Sequence, residues 1–270
     1  MKELNGRELS LYIKERQAHE VRRLRQSKKV FPKLAIVRTN PDPVVDSYMN
    51  LKQAYGADIL VEVGIHTVKQ ADCIDTIKEL NADDDVHAII VQIPLPDPSQ
   101  TDEVLNSVSP SKDVDGLGKN SRFDPATPMA INWLLAGYNV ELSGKKIVIV
   151  GQGRLVGKPL AKIWRESNLD VEVADKTTND LANVVSKADV LVSATGVPGL
   201  IKQEMIMPGM TIVDAGVATD SNGLVGDVAA EVRELKGITI TPEKGGVGPL
   251  TVCALFENVI TAARNIAETQ

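Results

Sequence analysis

Tyr48 and Lys52 stand four residues apart in a stretch that reads as helix, so their side chains share one face. A lysine in a partly dry crevice is pushed toward its neutral amine, because burial disfavours the ammonium, and it can then act as a base near neutral pH. Spacing alone favours the plainer alternative, a solvated lysine beside a core tyrosine. Gln92 sits at a strand end before a proline-rich exit, where its amide can hold a neutral amine or a ligand, or simply satisfy turn backbone. Asp113 and Asp115 flank Val114 in a polar turn. One of them can accept two hydrogen bonds from a planar ligand with paired N–H donors, or both can close the turn onto their own backbone.

A second kind of chemistry is written at 145–165. The β-branched run Ile147 to Val150 is followed at once by Gly151, Gly153 and Gly157, then by Leu160, Ile163 and Trp164 at helical spacing. Strand, glycine turn and helix in that order present free N–H groups at a positive helix end, a seat for phosphate. The spacing Gly-x-Gly-x-x-x-Gly is one residue longer than the usual dinucleotide fingerprint. A tight turn that only lets helix and strand pack closely is the competing reading. His19, His66 and His87 are isolated, and there is no His-x-x-x-His, Cys-x-x-Cys or Gly-x-Ser-x-Gly. Zinc chemistry and a serine triad are disfavoured, and no metal is expected.

The elements that must position these residues follow from the chain in order. Residues 7–29 read as a surface helix, whose solvated face and end carry the basic cluster Arg22, Arg23, Arg25, Lys28, Lys29 and Lys33. A strand is expected at 33–37, a turn at 39–43, a helix from Asp46 or Ser47 to a glycine stop at Gly56, and a strand at 59–63. A helix at 71–80 and a strand at 88–91 follow, after which two close prolines take the chain out of the sheet. Residues 112–116 form a polar turn, and 128–137 a helix bridging two domains, with proline at an early position. Further strands are expected at 147–150, 171–174, 190–193, 211–214 and 238–241, and a last helix at 250–268 that returns to the first domain. Strand and helix alternate throughout, the pattern of parallel sheets covered by helices.

The chain has 270 residues, 43% hydrophobic and 24% charged, with net charge −6. That suits one large or two modest domains and argues against nucleic acid as a partner. Cys73 and Cys253 read as buried thiols, not a disulfide. The opening Met-Lys-Glu-Leu-Asn-Gly-Arg-Glu lacks the apolar centre of a signal peptide. No apolar run approaches the roughly 20 residues needed to cross a membrane. A cytoplasmic protein without a membrane partner is expected.

Taken together, these segments resemble the methylenetetrahydrofolate dehydrogenase/methenyltetrahydrofolate cyclohydrolase family. The markers are Tyr48-x-x-x-Lys52, the run 91–96, the run 112–116, Thr127-Pro128, the 151–159 loop, Gly226-Asp-Val228, Thr241-Pro242 and Gly245-Gly-Val-Gly-Pro249-x-Thr251. The resemblance implies a two-domain α/β fold with an active-site cleft between the domains. One is an N-terminal three-layer α/β catalytic domain (1–136, plus a returning helix at 249–270), and the other a Rossmann-like doubly wound dinucleotide-binding domain (137–248). It implies oxidation of 5,10-methylenetetrahydrofolate with NADP, then hydrolysis of the methenyl product to 10-formyltetrahydrofolate, in a homodimer built on the second domain. Lys52 would transfer the proton, Gln92 keep it neutral, and Tyr48 orient the folate. Asp115 would grip the pterin, and Leu95, Gly246 and Pro249 would line its pocket. Gly151, Gln152, Gly153, Arg154, Val156, Gly157, Asp175, Lys176, Thr195, Gly196 and Val217 would hold the cofactor.

Several positions depart from the family pattern. The usual Gly-Arg-Ser is Gly151-Gln152-Gly153, and His-Ser-Arg/Lys-Thr is Asp175-Lys176-Thr177-Thr178. An acid at that strand end favours ribose hydroxyls and hence NAD, while Lys176 and Arg154 can supply charge to a phosphate. NADP is the cofactor on family grounds, with NAD the alternative. The serine usually found before the tyrosine is Val45, Thr-Pro-x-Gly ends in Ala130, and Glu243-Lys244 precede the final glycines. A monofunctional NAD-dependent dehydrogenase and a non-catalytic folate- or dinucleotide-binding protein are the other two functional readings.

Overall fold

A computed structural model of the chain describes residues 2–39, 43–220 and 223–269. Asn40, Pro41 and Asp42 of the expected 39–43 turn lie outside the described residues. The chain forms two compact α/β units, one from Leu11–Ala126 with Val252–Gln270, the other from Met1–Ser10 with Thr127–Thr251.

In the first unit, among the described residues, three parallel strands lie in the order Glu62–Thr67, Lys33–Arg38, Ala88–Gln92. The middle strand is apolar from Leu34 to Val37 and buried along that whole length, as a parallel strand covered on both faces must be. Ala35, Val37, Ile77, Ile89, Val91, Leu95 and Val104 share one apolar cluster. At the carboxyl end of the sheet Arg38 lies in register with both Thr67 and Gln92. Its guanidinium pairs with Asp46 in the first turn of the helix Pro43–Asp58 and donates from Nε to Thr67 Oγ1 at 2.7 Å. The helix that carries Tyr48 and Lys52 is thereby tied to the strand ends.

Two expectations in this region need correction. The helix starts at Pro43 and does not stop at Gly56; Leu60, with φ 64°, takes the left-handed turn after it. Gly56 is needed for close packing instead, since a Cβ there would lie 2.6 Å from Val63 Cγ2. The strand expected at 59–63 is Glu62–Thr67. Ile59 and Val61 are buried, but their N–H groups bond to the helix carbonyls of Tyr55 and Gly56, so that apolar run is the helix exit.

In the second unit a six-stranded parallel sheet among the described residues runs Lys2–Glu3, Thr239–Ile240, Thr211–Asp214, Val190–Ser193, Lys146–Val150, Asp170–Ala174. The edge strand Lys2–Glu3 and the hairpin Ala218–Asp220/Gly223–Val225 were not expected from the sequence. Val148, Leu191 and Ile212 of the central strands pack with Val185, Ile201 and Val232 in one cluster. The helix Gly157–Glu166 packs through Leu160 and Trp164, whose indole N–H donates to Asn132 Oδ1 at 2.7 Å.

Lys112 anchors the polar turn of the first unit. Its ammonium donates to the carbonyls of Leu80, Asn81 and Asp83 at 3.1, 2.9 and 2.7 Å, closing the end of the helix Cys73–Ala82. Lys112→Met leaves those carbonyls without their donor, and a loss of about 2 kcal/mol is expected. The shift in urea midpoint measures it, and an unchanged midpoint would show that the cap is dispensable.

Candidate active site

The first group lies at the carboxyl end of the three-stranded sheet, where ligands of such sheets gather. Tyr48 and Lys52 sit one turn apart on the helix Pro43–Asp58, on a shared face as their spacing requires. Lys52 donates from Nζ to Gln92 Oε1 at 3.2 Å. The Gln92 amide N–H group is spent on the carbonyl of Ile93, 3.0 Å away, at the cis Ile93–Pro94 bond. That second bond fixes which end of the amide faces the lysine: a neutral acceptor, not a donor.

Burial pushes the Lys52 amine below the ordinary lysine range, and the nearby Asp115 carboxylate opposes that shift. Asp115 in turn is pushed up by its own desolvation, with the charge of Lys52 acting the other way. Lysine, glutamine and aspartate therefore form one electrostatic group whose members come from a helix, a strand end and a turn. Tyr48 is 38% exposed and so is not a core tyrosine; burial of part of its ring raises its phenol.

The two aspartates separate cleanly. Asp113 is 4% exposed, its Oδ2 accepts from Gly118 N at 2.8 Å, and its carbonyl accepts from Ser121 Oγ at 2.9 Å. It also pairs with Ile89 as a parallel bridge, so it closes the turn and docks it on the sheet. Asp115 is the one placed near Lys52. Leu95 is 3% exposed and belongs to the apolar cluster, which leaves its backbone, not its side chain, for a ligand.

The second group belongs to the other unit. Gly151 has φ 107°, and a Cβ there would meet Ala194 O at 2.5 Å. A Cβ on Gly157 would meet Gly151 O at 1.9 Å. These two glycines are required by the turn and by close approach of helix to strand, whereas a Cβ on Gly153 meets nothing within 4 Å. Val156 precedes the helix Gly157–Glu166 and gives it no side-chain cap. The cradle fits a dinucleotide phosphate.

Gln152 folds back onto the Gly151 carbonyl at 3.1 Å. Asp175 follows the strand Asp170–Ala174, and its Oδ1 accepts from Thr177 N and Oγ1 at 2.8 and 2.6 Å, holding the carboxyl below its usual range. Arg154 and Lys176 are exposed beside these loops in sequence. Thr195, Gly196 (φ 69°) and the exposed Val217 follow the adjacent strands Val190–Ser193 and Thr211–Asp214. Gly246 is buried against Thr241, and Pro249 lies in the first turn of the helix Val247–Thr269. Sequence reasoning gave no role to Asp214, Asp227 and Arg233, a buried acid–base cluster behind these loops. The marker Gly226-Asp-Val228 contains Asp227 but gave it no role, and nothing in the sequence links it to Asp214 and Arg233.

Among the described residues no cluster of His, Cys, Asp and Glu is suited to hold a metal ion, and no helix is long and apolar enough to cross a membrane. Replacing Gln92 with glutamate puts a negative charge beside the Lys52 amine, which should raise its pKa by about one unit or more. Competitive acylation of Lys52 as a function of pH reads this directly; an unshifted titration would mean that Gln92 does not set its charge.

Comparison with known proteins bears on both groups. Residues 4–115 match the tetrahydrofolate dehydrogenase/cyclohydrolase catalytic domain, and residues 125–267 match the NAD(P)-binding domain of the same description. The chain is 37% identical to the bifunctional protein FolD of Hydrogenobaculum sp., over 96% of this chain and 97% of that one. Its structure is similar to that of the bifunctional enzyme FolD from Campylobacter jejuni, with TM-score 0.93, 33% identity and 98% and 99% of the two chains covered. It is also similar to the Trypanosoma brucei enzyme FolD solved with NADP cofactor and inhibitor, with TM-score 0.89, 30% identity and coverage of 97% and 96%.

Proposed function

The chain belongs to the tetrahydrofolate dehydrogenase/cyclohydrolase family, and from that premise we propose which of its residues carry each step. The enzyme oxidises 5,10-methylenetetrahydrofolate to 5,10-methenyltetrahydrofolate with NADP and hydrolyses that product to 10-formyltetrahydrofolate. The unit containing Lys52 binds the folate, and the unit with the 151–157 glycines binds the cofactor.

The observation that carries the assignment is the desolvated Lys52 amine, 3.2 Å from the neutral acceptor of Gln92. Asp115 accepts from the pterin's amino and ring N–H groups, and Tyr48 orients the folate one turn from the amine. NADP, when bound, accepts the hydride from the one-carbon bridge. For the first step the protein's contribution is positioning, because the folate nitrogen lone pair stabilises the cation that forms. In the second step the neutral Lys52 takes a proton from water as its oxygen bonds to the methenyl carbon. The resulting ammonium returns a proton to the folate nitrogen whose bond to that carbon breaks. The remaining hydroxyl proton leaves to solvent, and the formyl group stays on the other nitrogen.

Lys52→Met removes the base but leaves the pterin contact of Asp115. Hydrolysis of supplied methenyltetrahydrofolate should fall about a thousandfold while folate still binds. Full turnover in that variant would remove Lys52 from the mechanism.

One observation favours a weaker preference for NADP than the family's usual loops give. Asp175 is held ionised by Thr177 at the strand end where a ribose is read, and a carboxylate there repels a 2′-phosphate. Asp175→Ser should therefore raise the ratio of kcat/KM with NADP to that with NAD by roughly tenfold; an unchanged ratio would place cofactor discrimination elsewhere. A homodimer in the cytoplasm is the assembly and compartment that we assign on the family resemblance.

A further inference from the structure

Behind the loops that follow the strands Val190–Ser193 and Thr211–Asp214 lie two carboxylates interlocked with two glycines. Asp214 accepts at Oδ1 from Gly216 N (3.2 Å) and Asp227 N (3.0 Å), and at Oδ2 from Val228 N (3.1 Å) and Arg233 Nη2 (3.1 Å). Asp227 accepts at Oδ2 from Ser193 Oγ and Thr195 N, both at 2.7 Å. A Cβ on Gly216 would fall 2.0 Å from Asp227 Oδ1, and one on Gly226 2.1 Å from Asp214 Oδ2. The Asp227 side chain is 0% exposed, yet no donor meets its Oδ1 among the described residues. Arg233 balances one of the two acids. Among the described residues no cation pairs with the second.

The place of this surplus charge follows from the sheet order. Lys146–Val150, which carries the glycine turn, has Asp170–Ala174 on one side and Val190–Ser193 then Thr211–Asp214 on the other. A dinucleotide with its phosphates on that turn and one ribose at Asp175 extends its other half over the second side. That half carries the nicotinamide, which is cationic when oxidised and neutral when reduced.

We propose that Asp227 is a positioning residue that fixes the Thr195 and Gly216 loops and, through its unbalanced charge, selects the oxidised cofactor over the reduced one. This rests on the reading of those loops as cofactor-binding. A carboxylate that only held the loops in shape would affect both redox forms alike. One that acts through charge changes their ratio.

The test is calorimetric titration of the full chain with NADP+ and with NADPH, alongside a thermal melt. Asp227→Asn keeps shape and an acceptor for Ser193 and Thr195 while removing the charge. It should weaken NADP+ roughly tenfold relative to NADPH. Arg233→Gln removes the cation facing Asp214 and should shift the ratio the opposite way, which keeps the idea testable if the first variant melts at low temperature. Ser193→Ala loosens the loop without changing charge and should leave the ratio alone. An equal loss for both forms in Asp227→Asn, or an unmoved ratio in Arg233→Gln, overturns the proposal. A wild-type chain that binds neither form would overturn the cofactor reading itself, and this proposal with it.

Discussion

The desolvation of one amine is the constraint on which the active site depends. Burial pushes the Lys52 amine below the ordinary lysine range, because it disfavours the ammonium. Asp115 restores part of the ammonium's stability, so the two influences on the amine oppose each other. Gln92 completes the balance because it is neutral: a carboxylate in its place would hold the proton on, and an apolar side chain would leave the amine unoriented. The rest of the unit serves this geometry. Arg38 ties the helix start to the strand end, the amide of Gln92 is fixed by the Ile93 carbonyl, and Asp113 fastens the turn that carries Asp115.

Spacing on a helix places Lys52 and Tyr48 on one face, and that much the sequence states. It does not state that the Lys52 amine is shielded. Burial arises from the strand end and the turn, forty and sixty residues later in the chain, so a base and a surface lysine look the same until the fold is known. The same limit governs Asp113 and Asp115: their spacing does not say which one is consumed by Gly118 and Ser121. The misplaced strand at 59–63 has a different origin. Ile59 and Val61 are as buried as a strand would make them, but their N–H groups finish a helix, and apolar runs of this length fit either state.

In the cofactor unit, legibility followed locality. The glycine turn was readable because strand, turn and helix are contiguous, and the structure explains Gly151 and Gly157 by backbone contacts within that segment and its neighbour strand. Asp227 meets Ser193 and Thr195 across 34 and 32 positions, and Asp214 across 13. Nothing periodic joins such partners, so only the order of strands brings them to one place. The two-residue edge strand Lys2–Glu3 escaped for a related reason: it is too short to show alternation and exists only because Thr239–Ile240 offers it an edge.

On the roles proposed above, the two steps of the reaction make the same demand on the charge of Lys52. Oxidation turns the neutral methylene bridge into a cation. An ammonium facing that carbon would raise the barrier by direct repulsion, with a magnitude that a low-dielectric site enlarges. On those roles, the burial that lowers the Lys52 amine also weakens its repulsion of the forming cation. On the same roles, an ionised Asp115 beside the amine favours positive charge on the bound ring. On those roles, proton transfer and hydride loss both call for the uncharged form of one lysine, held by an amide and opposed by a carboxylate.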